Sequence, residues 1–294
     1  MAKSKKPIVL VIVGTTASGK SDLAVEMAKR FDGEVISADS RQVYRGLNIG
    51  TGKITKREMR GISHYLLDVA SPKKVFTVVD FKRLAEEKID DILRRGKLPI
   101  IAGGTGFYIE AVTDNKILPQ VEPDIKLRNQ LAKKEAPELF KMLAKLDPRR
   151  AKDIKNKNEV NNKLRLIRAI EIARVLGQVP EVAETPSKYE FIKVGILVSD
   201  KELEKRIQTR VKKMFRAGLL KEIQKLKKSG VSKKRLAEFG FEYNNPTPES
   251  VILESIKYTK RQKTWWKRYT DITWLPLRRI YPFLRKKIPS AKRR

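Results

Sequence analysis

Apolar positions over the first third of the chain switch repeatedly between two periodicities. Residues 8–13, Ile-Val-Leu-Val-Ile-Val, form an unbroken β-branched and aliphatic run, the mark of a buried strand. Residues 22–30 place Leu23, Ala24, Met27 and Ala28 at helical spacing. A short strand is expected at residues 34–37, a glycine-rich and cationic loop at 46–62, and another short strand at 64–69. Residues 79–95 predict an amphipathic helix with Phe81, Leu84, Ala85, Ile89, Ile92 and Leu93 on one side, stopped by Gly96. Residues 98–102 then read as a buried strand running into Gly103-Gly104-Thr105-Gly106. Alternating strand and helix over residues 8–112 implies a parallel sheet.

The middle of the chain changes character. Leu118-Pro119 and Glu122-Pro123 mark a boundary. Residues 124–177 are charged, helical and strand-free, broken at Asp147-Pro148, and residues 179–187 form a linker with Pro180 and Pro186. A strand pattern returns at 191–198, and a helix follows that Asp200 is expected to cap. Residues 202–215 and 219–228 predict two helices joined at Gly218, 248–269 another helix, and 272–275 a last strand. Residues 278–294 are expected to be a basic tail. There is no internal repeat. The pattern predicts an α/β core from residues 1–118 and 188–294, interrupted by an α-helical insertion at 119–187.

Composition narrows the class. With 294 residues and 40% hydrophobic positions the chain can bury a sizeable core. It has no cysteine, which excludes disulfides and thiolate metal sites and fits a reducing cytoplasm. No apolar stretch reaches membrane-spanning length, and no secretory leader is read at the start. Lys and Arg number 66 against 34 Asp and Glu, a net charge of +32. A small-metabolite enzyme has no need of such a charge, whereas a polyanion is held by it through phosphate contacts and counterion release.

Between the first strand and the first helix lies Gly14-Thr15-Thr16-Ala17-Ser18-Gly19-Lys20-Ser21, matching G-x-x-x-x-G-K-[ST] at every fixed position. Strand, glycine loop and helix are the context this phosphate loop requires. Loop amides and the helix N-terminus face an anion, Lys20 adds a point charge, and the Ser21 hydroxyl can ligate Mg²⁺. The expected fold class is therefore α/β, a P-loop NTPase-like parallel sheet core with an α-helical insertion domain. None of the strongly apolar strands ends in Asp-Glu, the second signature of an NTP-hydrolysing motor. The loop is thus expected to hold a phosphate chain without hydrolysing ATP. Asp39, after the second strand, would lie near the loop at the carboxyl edge of the sheet. By position alone it serves equally as a catalytic acid–base group or as a capping residue.

Five segments taken together resemble the bacterial tRNA dimethylallyltransferases. They are residues 14–21; Ile36-Ser-Ala-Asp-Ser-Arg-Gln-Val-Tyr44 with Gly46-Leu-Asn-Ile-Gly-Thr51; Gly103-Gly-Thr-Gly-Phe-Tyr108; Arg165-Leu-Ile-Arg-Ala-Ile-Glu171; and Arg261-Gln-Lys-Thr-Trp265. The resemblance implies transfer of a dimethylallyl group from dimethylallyl diphosphate to N6 of the adenosine 3′-adjacent to the anticodon. On that pattern Asp39 would be the general base. Lys20, the loop and Mg²⁺ on Ser21 would hold the diphosphate, and Arg210 would assist, since residues 210–214 match the family's R-V-x-x-M segment. Thr105 would lie near the entering RNA, and Ser40, Arg41 and Gln42 would touch neighbouring nucleotides. The insertion would clamp the anticodon stem through Leu164, Arg165, Leu166, Ile167 and Arg168, with Lys126 where the family usually has arginine. A cytoplasmic, monomeric enzyme is implied.

The chain departs from the family in places. Thr15 replaces a common proline. The Gly-Tyr-Lys-Glu segment appears as Phe239-Gly240-Phe241-Glu242, without its lysine, and the paired histidines appear as His64-Tyr65. His64, the only histidine, reads as structural. Three alternatives remain at this level: a prenyltransferase acting on free adenine nucleotide, which has no use for a basic insertion; a small-molecule P-loop kinase, which explains the loop alone; and a non-catalytic RNA-binding protein, which fits the charge but leaves the loop and Asp39 idle.

Overall fold

A computed structural model describes residues 6–181 and 185–289. In chain order the elements are β1 (Ile8–Val13), α1 (Lys20–Phe31), β2 (Gly33–Ala38), α2 (Lys56–Met59), β3 (His64–Tyr65), α3 (Val78–Arg94), β4 (Leu98–Gly103) and α4 (Gly106–Thr113). Four helices follow: α5 (Ile125–Ala132), α6 (Ala136–Leu146), α7 (Pro148–Asn156) and α8 (Lys163–Leu176). The chain then forms β5 (Glu190–Ile196), α9 (Asp200–Arg216), α10 (Leu219–Lys228), α11 (Lys233–Glu238), α12 (Pro248–Trp266), β6 (Thr273–Leu275) and α13 (Leu277–Lys287). It divides into two compact units, residues 116–185 and the remainder.

The larger unit is a six-stranded sheet in the order β3-β2-β4-β1-β5-β6, with every pairing parallel. Its central strands are buried on both faces, as continuous aliphatic runs require. One face packs on Phe81, Ala85, Ile89 and Ile92 of α3. The other packs on Leu23, Ala24, Met27, Ala28 and Phe31 of α1. A fully buried side chain of this size contributes about 2 kcal/mol by removal from water. Register fixes where the loops leave. Gly103 pairs with both Val13 and Ala38, so the segments following β1, β2 and β4 start at one level of the carboxyl edge. The smaller unit has its own core, built by Leu131, Leu139, Leu143, Ile154, Leu166 and Ile170 among others.

Several local expectations are corrected. Only His64 and Tyr65 form the strand expected at 64–69, because Leu66 and Asp68 turn the chain with φ of 61° and 57°. A short helix, α2, lies in the expected loop, capped by Thr55 and Glu58. Ser199, not Asp200, caps α9 by accepting from Glu202 N–H. The basic tail is helical over Leu277–Lys287. Ile280, Leu284 and Ile288 recur every four residues and seal the α1 face of the sheet. The last residues of that expected tail, 290–294, lie outside the described residues.

Candidate active site at the carboxyl edge of the sheet

Four segments meet at the strand ends. The phosphate loop follows β1 with Ala17 in the left-handed region at φ 60°, a strained conformation that alanine adopts where a backbone must present its amides. The first helical hydrogen bond of α1 runs from Leu23 N–H to the Gly19 carbonyl at 3.1 Å, so the amides ahead of it have no helical acceptor. Ser18 Oγ is buried and has no hydrogen-bond partner among the described residues. These groups suit an anion.

Two cations converge on the loop. Lys20 Nζ donates to the Thr15 carbonyl at 2.6 Å. Arg210, from α9, donates to Thr16 Oγ1 at 3.1 Å and to the Thr51 carbonyl at 3.0 Å. Gly52 makes room for it: with φ 56°, any Cβ there would collide with the guanidinium. Neither cation has a carboxylate ion pair among the described residues. Burial, then repulsion from Arg210, pushes the Lys20 ammonium down to about 8, opposed by Asp39. Burial also lowers Arg210. Glu242 and Asp39 oppose that shift, but two cations held close together without a direct carboxylate pair suit a multiply charged anion.

The far side of the same cavity is the turn after β2. Asp39 Oδ1 accepts from the backbone N–H of Arg41 (2.9 Å) and Gln42 (3.2 Å), and no protein hydrogen bond to Oδ2 occurs among the described residues. Thr105, after β4, accepts from Ser40 N–H at 3.0 Å and donates to Ser40 Oγ at 3.3 Å. Lys20, Ser21, Asp39, Thr105 and Arg210 all line this one cavity. Ser21 and Asp39 offer hard oxygen donors, while no cluster of three His, Cys, Asp or Glu exists among the described residues to cage a metal. That donor set fits a Mg²⁺ ion whose remaining ligands are phosphate oxygens and water.

Three groups have no role in the sequence reading. Gln262, buried on α12, accepts from Thr16 N–H at 2.8 Å and donates to the Gly104 carbonyl at 3.0 Å, tying the phosphate loop to β4. Glu222, buried on α10, accepts from the N–H of Asn48 (3.0 Å), Ile49 (2.8 Å) and Gly50 (3.1 Å) and from Tyr243 OH (2.9 Å), shaping the loop that carries Thr51. Glu242 accepts from Arg41 at 2.7 Å. His64 lines the cavity, with Nδ1 2.9 Å from the Ile62 carbonyl and its pKa lowered by burial.

The candidates of residues 116–185 belong to the helical unit. Lys126 and Leu164 are exposed, and Arg165 pairs with Glu159. Arg168 pairs with the buried Glu171 and donates to the Val121 carbonyl at 2.9 Å. Leu166 and Ile167 fill the interior of that unit, so their side chains pack the helices and do not reach its surface.

Fold and site together define a P-loop-type α/β protein whose cavity pairs a cationic cradle with a carboxylate. A family model for IPP transferase matches residues 42–269. A tRNA dimethylallyltransferase of Staphylococcus epidermidis is 38% identical over 95% of this chain and 90% of its own length. Another, of Acetivibrio thermocellus, is 39% identical over 91% of each. The crystal structure of the full-length tRNA isopentenylpyrophosphate transferase of Bacillus halodurans superposes with a TM-score of 0.67 at 34% identity, covering 96% of this chain and 97% of that one. A eukaryotic dimethylallyltransferase acting on tRNA shares the fold, with a TM-score of 0.75 at 24% identity. The chain belongs to the IPP transferase family.

Proposed function

We propose that this protein is a tRNA dimethylallyltransferase that moves the dimethylallyl group of dimethylallyl diphosphate to N6 of the adenosine 3′-adjacent to the anticodon. The observation that carries the reading is the pairing of Lys20 and Arg210, half-buried and without a carboxylate ion pair among the described residues, with Asp39 in one cavity. The leaving diphosphate occupies the loop, where the amides, Lys20 and Arg210 stabilise the charge that grows on oxygen as the C–O bond breaks. Mg²⁺, held by Ser21 and the diphosphate oxygens, would neutralise part of that charge. The exocyclic amine is a weak nucleophile because its lone pair is delocalised into the purine. Asp39 takes a proton from N6 as nitrogen bonds the allylic carbon, and the C–O electron pair leaves with diphosphate. The target base enters unstacked, and Thr105 fixes the turn that faces it.

The charge of +32 supports a polyanionic acceptor, and cations such as Lys126 on the helical unit suit a phosphate backbone. We infer that the protein acts as a monomer in the cytoplasm, where tRNA is found. Among the described residues no helix is long and apolar enough to cross a membrane. The test is incubation with unmodified tRNA and dimethylallyl diphosphate, then digestion and mass analysis of nucleosides. N6-dimethylallyl adenosine in tRNA is expected. Product with AMP and none with tRNA would reject the assignment.

A further inference from the structure

Arg41 stands in the turn that carries Asp39, yet its side chain is spent inside the protein. Nη1 donates to Glu242 at 2.7 Å, with the two side chains 26% and 12% exposed. Its guanidinium carbon lies 5.5 Å from the centre of the Phe241 ring and 5.7 Å from that of Tyr258, both within cation–π range. Gly240, at φ 116°, leaves the space that Nη2 occupies, where any Cβ would collide. Gly240, Phe241 and Glu242 belong to the segment between α11 and α12, about two hundred residues from Arg41. The same Arg41 gives its backbone N–H to Asp39 Oδ1 at 2.9 Å. Thus the turn is held by its own carboxylate, by Thr105 through Ser40, and by Glu242 through the Arg41 side chain. Burial pushes the Glu242 carboxyl up, opposed by Arg41 and Arg210.

We propose that Glu242 is a positioning residue for the transfer step, holding through Arg41 the turn that aims the Asp39 carboxylate at the acceptor amine; this rests on Asp39 being the general base. The Arg41 side chain is thereby committed to Glu242 and to the Phe241 and Tyr258 rings.

The test combines Glu242→Gln, Glu242→Ala and Asp39→Asn, assayed with saturating tRNA and dimethylallyl diphosphate and checked by thermal melting. Glu242→Ala is expected to lower kcat on the order of 10- to 100-fold, the scale of a misplacement of about 1 Å, with tRNA KM within about twofold. Glu242→Gln should recover part of that loss, because its amide oxygen still accepts from Arg41, and it carries the test if the alanine variant fails to fold. If Glu242 acts through Asp39, adding Glu242→Ala to Asp39→Asn costs little more in single-turnover rate. Losses that multiply in full would overturn the positioning role while leaving the base intact. A rise in tRNA KM with unchanged kcat would also overturn it. Full activity in Asp39→Asn alone would refute the base and this proposal with it.

Discussion

Lys20→Met should stabilise the empty protein while destroying its function. The Lys20 ammonium is pushed from 10.5 to about 8, first by burial and then by Arg210. That shift corresponds to about 3 kcal/mol of lost preference for the charged form. Methionine removes this cost but forfeits the charged hydrogen bond to the Thr15 carbonyl, worth about 2 kcal/mol. A net gain of about 1 kcal/mol remains near neutral pH, a rise of about 2–4 °C in Tm. The pH dependence has a fixed sign. The folded pKa lies below the unfolded one, so between pH 8 and 10.5 the unfolded chain binds more protons and wild-type stability rises with pH. The advantage of methionine is therefore full below pH 8 and closes as pH climbs through that window. Inorganic diphosphate with Mg²⁺ at about 100 times its Kd should add about 2.7 kcal/mol to the wild type and far less to the variant. The melting curves cross: the variant melts higher without diphosphate and lower with it. A variant that melts lower without ligand at pH 7, or gains as much from diphosphate as the wild type, would refute the reasoning.

Other perturbations read other parts of the account. Gln262→Ala leaves Thr16 N–H and the Gly104 carbonyl without their partner, and KM for dimethylallyl diphosphate should rise roughly 10-fold with tRNA affinity unchanged. Glu222→Ala removes the acceptor of three backbone N–H groups and a tyrosine hydroxyl; urea unfolding should show a loss of about 3 kcal/mol, and a loss below about 0.5 kcal/mol would contradict its role. Leu284→Ala in α13 should cost about 2–5 kcal/mol, whereas an unpacked tail would cost nothing measurable.

The parts of the molecule that announce themselves locally were legible in the chain. An aliphatic run on each side of the sheet core, Gly14 to Ser21 between strand and helix, and Asp39 directly after β2 each carry their signal within a few residues. The connections across the cavity do not. Gln262 and Thr16 are 246 positions apart, and Arg41 and Glu242 are 201 apart. Two of these groups leave a trace nonetheless. Glu222 lies on the apolar stripe of α10 with Leu219, Ile223 and Leu226, and a carboxylate there has to meet donors inside. The buried face of α12, Val251, Ser255, Thr259, Gln262 and Trp266, is polar in its middle, the mark of a helix facing a site rather than a core. The end of the chain misled for the opposite reason. Five cations in α13 outweigh the three apolar residues that anchor it, and Pro282 inside the helix weakens the pattern further.

In the proposed mechanism Asp39 accepts the N6 proton opposite a diphosphate held by Lys20 and Arg210. The direct measurement is the single-turnover rate of Asp39→Ala on tRNA already bound, alongside the affinity of that variant for tRNA. The expected result is tRNA affinity within a few-fold of wild type and a rate lowered by about 10²-fold or more, the scale of a lost general base. An unchanged rate, or a loss explained wholly by weaker tRNA binding, would contradict it.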